Sequence, residues 1–414
     1  MSVAILSVGT ELTRGEIVNT NASWLGEALT EAGLEVTAQE TVPDDVSRIV
    51  ETLRRLGGAH RLIVCTGGLG PTTDDLTSAA VAQLLEAPLE RDPTSLEVIR
   101  ARMARLGRAV AASNEKQADF PRGARVLPNA RGTAPGFAVH IGVAEAFFMP
   151  GVPREMRAMY REHVLPSAAA LVTERSFQVR LQTFGMTESA VNDALAGVEA
   201  EHGVTVGYRV HFPEIEVKFL ARAASPEAAR QRARGAADAA RSRLGADVVF
   251  GEGDATLSEA VGALLAERGL RLGLAESCTG GLVSALVTER SGASAYFAGG
   301  VVSYANQVKE AVLGVPAELL REHGAVSAEV ACRMAEGARA VLGVEVALAL
   351  TGVAGPTGGT DEKPVGLVHY AVATPERTTA RQLFWPGSRG QVQRVAAFSG
   401  LALVRQVLLH GREP

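Results

Sequence analysis

The phrase AESCTGG, Ala275 to Gly281, sets a hydroxyl and a thiol side by side, Ser277 and Cys278, on a tight turn where an apolar run gives way to a helix. Acyl transfer needs such a nucleophile together with donors for the developing oxyanion, and the backbone N–H groups of Gly280 and Gly281 are the candidates here. A serine hydroxyl is a poor nucleophile until a base takes its proton. None of the eight histidines stands in a recognisable triad phrase, so the base is another residue. The candidate is Lys309, five residues after Tyr304 in VSYANQVKEAVLG. A desolvated lysine serves as base in Ser-Lys hydrolases; the competing reading is an ordinary exposed helix lysine. Of 41 basic residues only Lys116, Lys218, Lys309 and Lys363 are lysines. A chain that uses arginine by default keeps lysine by chance or where a compact, deprotonatable amine is needed. Cys278 carries the intrinsically better nucleophile, with a bystander role as the competing reading. Cys65, inside the run RLIVC, reads as core.

A second cluster lies near the amino terminus. TGGLGPTTDD, Thr66 to Asp75, follows an apolar run and precedes a helix, and its glycines Gly67, Gly68 and Gly70 free backbone N–H groups to cradle an anion. It is neither a Walker A phrase nor GxGxxG. Asp74 and Asp75 would repel a phosphate unless a divalent cation sat between, as in metal-assisted phosphoryl chemistry; the competing reading is a helix cap. Lys116, in SNEKQA, could neutralise a phosphate, and NARGTAPG and PGVPREM are further polar phrases.

These clusters sit at the ends of apolar runs. Residues 1 to about 172 alternate strand and helix, with VAILSV, EVTAQETV and RLIVC as strands and Asp44 as an N-cap, which predicts a doubly wound sheet. Ligands in such sheets sit beyond the carboxyl ends of strands, here GTEL, GGLGPTTDD and MPGVPREM. From about Ser176 to Glu252 a small α+β unit follows, with Ser225-Pro226-Glu227 opening an arginine-rich helix. From about Asp254, Thr256 and Glu259 form a capping box, and LRLGLA and VEVALAL are the strands of a second α/β unit.

At 414 residues the chain holds two or three domains, and 47% hydrophobic with 21% charged residues excludes disordered, collagen-like and disulfide-scaffold classes. The net charge of -5 gives no global attraction to nucleic acid or anionic membrane. The arginines of the helix after Ser225 read as a solvated face. Three distant cysteines suit reduced thiols in a cytosol, and none stands in a zinc phrase. The start lacks a basic leader region, and no apolar stretch approaches the roughly 18 residues of a spanning helix.

In this order, GTEL, TGGLGPTTDD, SNEKQA, PGVPREM, AESCTGG, YANQVK, EHGAVS, TGVAGPTGG and EKPVG make the chain similar to the CinA (competence/damage-inducible) family over essentially its whole length. The resemblance implies an α/β fold in three parts: a doubly wound molybdopterin-binding-like domain at 1–172, a small α+β KH-like domain at 173–252 and an α/β deamidase domain at 253–414. It implies a cytoplasmic homodimer with two activities. One is deamidation of nicotinamide mononucleotide, with Ser277 as nucleophile, Lys309 as base and Tyr304 as orienting partner. Thr279, Gly280, Gly281, Asn306, Gly352 and Gly355 would line that pocket. The other is hydrolysis of ADP-ribose to AMP and ribose 5-phosphate, with Asp74, Asp75 and Glu11 at a divalent metal (Co²⁺, Mg²⁺ or Mn²⁺) and Gly67, Gly68, Gly70, Asn114 and Lys116 around the substrate. The family phrase reads YSNEAK, so Ala305, Gln307 and Val308 depart from it while the three polar positions stay. The middle part has no basic GXXG loop, so RNA clamping does not carry over. A molybdopterin-type binding protein and a competence or recombination adaptor are the rival readings.

Overall fold

In a computed structural model, which describes residues 2–105, 107, 111–172 and 174–411, the apolar runs VAILSV, RLIVC and AEAFFM become neighbouring strands of one sheet. The sheet order is Glu35–Val42, Ser2–Val8, Leu62–Thr66, Ala144–Met149, Gly136–Ile141, Arg125–Leu127, with the first four parallel and Gly136–Ile141 antiparallel to both of its neighbours. Leu62–Thr66 is buried throughout, as expected of a strand covered on both faces. Helix Val46–Ala59 packs Ile49, Leu53 and Leu56 against one face. Helix Thr20–Glu31 packs Leu25 and Leu29 against the other. The expected cap shifts by one residue. Asp45 accepts the Arg48 amide at 2.9 Å, because Asp44 is engaged by the Thr10 amide at 2.7 Å and ties the loop after the first strand to the loop after the second.

The chain forms two compact units, Met1–Phe177 with Ala221–Arg230 and Gln178–Leu220 with Gln231–Pro414. The segment expected as a middle domain gives Ala221–Arg230 to the first unit and Gln178–Leu220, with the residues after Arg230, to the second. Its four-stranded sheet, in the order Val204–His211, Glu214–Ala223, Arg175–Thr183, Val249–Glu252, is bonded to its surroundings: within the second unit, buried Arg405 donates to Val249 O at 3.1 Å. Ser225 caps helix Pro226–Leu244 through the Ala228 amide at 3.2 Å. Arg241 bonds Glu252 at 2.7 Å and Arg243 bonds Glu201 at 2.7 Å, so these arginines serve intramolecular ion pairs.

The second unit also holds a five-stranded sheet, ordered Phe297–Val302, Leu272–Glu276, Val346–Gly352, Leu367–Ala373, Thr378–Phe384. The first three are parallel, and Leu367–Ala373 is antiparallel to both of its neighbours. The Thr256–Glu259 capping box opens helix Leu257–Glu267 as expected. One expectation fails: among the described residues helix Arg389–His410 is long and apolar enough to span a membrane. Its Val392, Ala396, Leu401, Val404 and Leu408 lie in the core beside Leu348 and Val372, which accounts for the apolar composition.

Candidate active site

Strand Leu272–Glu276 hydrogen-bonds in parallel to Phe297–Val302 on one side and Val346–Gly352 on the other, so Ser277 and Ser303 leave the sheet at adjacent carboxyl ends, beside Thr351 near the end of the third strand. The chain after Ser303 turns into helix Asn306–Ala311, and Lys309 in that short helix points back toward the strand ends. Its Nζ lies 3.0 Å from Ser277 Oγ, 2.6 Å from Ser303 O and 3.4 Å from Tyr304 O. Lys309 is 1% exposed and Ser277 8% exposed. Burial lowers the Lys309 pKa from the ordinary lysine value, since a desolvated ammonium is disfavoured. Nζ donates toward all three oxygens, and once it is deprotonated the same Ser277 contact can reverse so that the hydroxyl donates to the amine.

Cys278, next in sequence, is pushed up to about 12 by burial, so at neutral pH it stays a thiol. Cys65 is fully buried within the first unit's sheet, as expected.

The expected oxyanion donors are otherwise engaged. Gly280 N–H donates to Ser277 O at 3.2 Å and Gly281 N–H to Glu276 Oε2 at 3.0 Å. Glu276 is the reason: its carboxylate is fully buried and also accepts from the Val283 amide at 3.0 Å, the Ser284 amide at 2.8 Å and the Ser284 hydroxyl at 2.7 Å. It neutralises the start of helix Leu282–Thr288, the end that would otherwise attract an anion. Two buried hydroxyls of the neighbouring segments, Thr279 and Ser303, have no partner among the described residues.

Tyr304 is 60% exposed, and its hydroxyl accepts from Arg389 Nη2 at 2.9 Å. Arg389 Nη1 donates to Gly355 O at 2.9 Å, and Gln393, one turn on, donates to Cys278 O at 2.8 Å. The start of helix Arg389–His410 thus ties together three segments of the site. Neither Arg389 nor Glu276 was singled out from the sequence. Ser388 and Gln391 form a capping box in SRGQ that marks where Arg389 enters the helix, and Glu276 is the one charged residue of its apolar strand. Asn306 is exposed. Gly352 and Gly355 answer to loop closure: a Cβ at Gly352 would lie 2.7 Å from Leu367 O, and Gly355 takes φ +81 against Val365. Lys363 donates to His323 O and so braces the loop that carries EKPVG.

In the first unit, the loops after Ser2–Val8, Leu62–Thr66 and Ala144–Met149 surround a cavity of about 460 Å³ whose wall includes Glu11, Gly67, Gly68, Gly70, Asp74 and Asp75. Gly67 has φ +102, and a Cβ there would lie 2.1 Å from Val8 O; Gly68 has φ +66 and faces Thr77. Asp75 Oδ2 accepts the Thr72 amide at 2.8 Å and the Thr72 hydroxyl, which braces the turn. Thr72 and the residue's own backbone amide hold the exposed Asp74 carboxyl below its usual range. Thr72 has a single hydroxyl proton for the two carboxylates, and its geometry favours Asp75. Lys116 donates to Thr72 O from outside this cavity, and Asn114 turns back to the Ala111 amide at 3.1 Å, so neither expected substrate contact is on the wall. Two buried carbonyls are on it, Asn21 Oδ1 and Gln117 Oε1, both without a partner among the described residues.

Among the described residues no three His, Cys, Asp or Glu side chains converge to hold a metal ion. The donor set instead fits a cation held by one or two carboxylates and completed by phosphate oxygens of a substrate, the usual habit of Mg²⁺.

Comparison with known proteins gives three matches in chain order. Residues 4–170 match the probable molybdopterin binding domain, 178–251 the damage-inducible protein CinA KH domain, and 254–408 the CinA C-terminal domain. A CinA-like protein from Anaeromyxobacter sp. (strain Fw109-5) is 47% identical over 99% of both chains. One from Geobacter sulfurreducens is 43% identical over 99% of this chain and 100% of its own. Among solved structures, a CinA protein of unknown function from Thermoplasma acidophilum is 34% identical, covers 39% of this chain and 94% of its own, and has a TM-score of 0.37.

Proposed function

Because the chain belongs to the CinA family, we propose that its Ser277–Lys309 pair hydrolyses the carboxamide of nicotinamide mononucleotide to nicotinate mononucleotide and ammonia. The observation that carries this reading is a buried amine 3.0 Å from a serine hydroxyl at the ends of adjacent parallel strands. Ser277 Oγ passes its proton to Lys309 Nζ as it bonds to the carboxamide carbon. Collapse of the tetrahedral adduct breaks the C–N bond, and Lys309 returns the proton to the departing ammonia. Water then gives its proton to the same amine and attacks the acyl-Ser277 ester, and the serine leaves reprotonated. The unpartnered Thr279 and Ser303 hydroxyls are donors for the oxyanion, and Arg389 is a cation for the phosphate.

The test is ammonia release from nicotinamide mononucleotide by the wild type, Ser277→Ala and Lys309→Arg. Both variants are expected to lose activity by a factor on the order of 10³ or more, since a guanidinium cannot act as base at neutral pH. An active Lys309→Arg enzyme overturns the dyad.

For the first unit we propose metal-dependent hydrolysis of the ADP-ribose diphosphate to AMP and ribose 5-phosphate. One or two of the carboxylates expected there, Asp74 with Asp75 or Glu11, would hold the divalent ion, and substrate phosphate oxygens would complete its shell; the ion would supply neutralisation of diphosphate charge and polarisation of a phosphoryl oxygen. The Asn21 and Gln117 carbonyls accept from hydroxyl or amino groups of the substrate. AMP release with Co²⁺, Mg²⁺ or Mn²⁺ that falls in Asp74→Asn and Asp75→Asn supports the reading. Purified protein carrying a fluorescent pterin and releasing no AMP would favour a cofactor-binding role instead.

A further inference from the structure

We propose that the second unit contains a separate binding site, away from the Ser277–Lys309 pair, for a flat aromatic ligand carrying one negative charge. The site is a cavity of about 600 Å³, within the size range of small-molecule sites. Its floor follows from strand register. Tyr370 pairs with Arg381 across the antiparallel strands, and alternation brings Arg381 and Leu383, with Trp385 just beyond, to one face. The facing wall comes from the segment Gln178–Leu220: Phe212 sets its ring 5.3 Å from Trp385 at 54°, and Phe184 lines the same space. Phe184, Phe212, Tyr370 and Trp385 are all only half-buried, so four aromatic side chains turn toward the cavity without filling it. Walls of that kind take a flat ring by stacking and edge contacts.

The charge of the ligand follows from Arg381. Its guanidinium is exposed and donates to Ala380 O at 3.3 Å, with no carboxylate partner among the described residues. A guanidinium without a carboxylate partner beside an aromatic cavity is a ready partner for a carboxylate, sulfonate or phosphate ester. Two carboxylates share the wall: Asp247, which is bonded to His410 at 2.7 Å, and Glu188, exposed in the first turn of helix Glu188–Ala194. They set the limit at one negative charge, since a dianion would meet Glu188 with only Arg381 to balance it.

The test uses the full chain with Trp24→Phe, which leaves Trp385 as the sole tryptophan. The probe is 1-anilinonaphthalene-8-sulfonate, and N-phenyl-1-naphthylamine is the same ring system without the charge. The sulfonate is expected to quench Trp385 by energy transfer, saturably and at one per chain. Arg381→Gln is expected to weaken it by about tenfold or more while leaving the neutral probe unchanged. Ala402→Phe, which fills the cavity, is expected to abolish both, with far-ultraviolet circular dichroism as the folding control. Sulfonate binding indifferent to Arg381 overturns the anion recognition. Quenching that never saturates, or that survives Ala402→Phe, overturns the site. Binding that falls as protein concentration rises shows the cavity filled by a second copy of the chain and likewise overturns the proposal.

Discussion

Replacing Glu276 by Gln alters little in shape and much in charge. Its two oxygens accept four hydrogen bonds, Oε2 from the Gly281 and Val283 amides at 3.0 Å each and Oε1 from the Ser284 amide at 2.8 Å and hydroxyl at 2.7 Å. A glutamine keeps one acceptor oxygen. Its better orientation leaves that oxygen on Gly281 and Val283 and turns the amide group to Ser284, where the hydroxyl can rotate to accept but the backbone N–H meets another donor. Loss of one bond to a charged acceptor costs about 1.5–3 kcal/mol, and weakening of the others from charged to neutral adds roughly 2 kcal/mol. The expected destabilisation is therefore about 3–5 kcal/mol, a large part of the ~5–15 kcal/mol of a typical domain. For a unit of this size that lowers Tm by roughly 6–20 °C. Ser284→Ala, which removes the hydroxyl and nothing else of the cap, is expected to lose about 1 kcal/mol. The assay is thermal unfolding followed by circular dichroism, with ammonia release measured well below Tm. A Glu276→Gln protein that melts within about 2 °C of the wild type would refute the capping argument.

The deamidation rate is expected to rise with pH along a limb centred below the ordinary lysine value, because Lys309 must be neutral to act and burial lowers its pKa; a flat profile across that limb counts against the base. The same shift has a stability sign: below the folded pKa the buried ammonium is a penalty, which fades as pH climbs toward the unfolded value, so wild type should gain on Lys309→Met with rising pH in denaturant titrations. Gly67→Ala, at φ +102 with Val8 O in the way of its Cβ, is expected to cost about 2–4 kcal/mol and the first unit's activity together; a loss under about 0.5 kcal/mol in urea unfolding would contradict the packing. Arg389→Ala breaks bonds to Tyr304 and Gly355 at an exposed position, so it should raise KM for nicotinamide mononucleotide several-fold while changing stability by less than about 1 kcal/mol.

Much of this arrangement could be read from residue order. Apolar runs ending in Gly-rich or polar phrases gave strands whose carboxyl ends carry the sites, because buried parallel strands need continuous apolar sequence and the following turn needs glycine. The absence of a triad histidine made Lys309 one candidate base beside the reading of an ordinary helix lysine, and the family resemblance paired it with Ser277. What stayed hidden was side-chain direction. Nothing in AESCTGG says that Glu276 turns inward and claims the amides of Gly281, Val283 and Ser284, so Gly280 and Gly281 read as open donors. Arg389 lies 80 residues beyond Lys309 and meets Tyr304 only because the last helix starts beside the first strands of its sheet. Asn114 and Lys116 read as substrate contacts from their polar phrase, yet local capping and the Thr72 carbonyl claim them.

The register of the central ladder has a consequence for tolerance to change. Glu276 pairs with Val302, so Ser277 and Ser303 emerge side by side, and the spacing between the nucleophile and the carbonyls that hold the amine is an interstrand distance. Connections elsewhere, such as the exposed stretch from 289 to 292, can lengthen or drift without moving that pair. By the same token the pair has no soft way to fail: warming should leave reactive spacing intact until the ladder itself opens, so that loss of turnover and loss of sheet signal coincide rather than activity fading first.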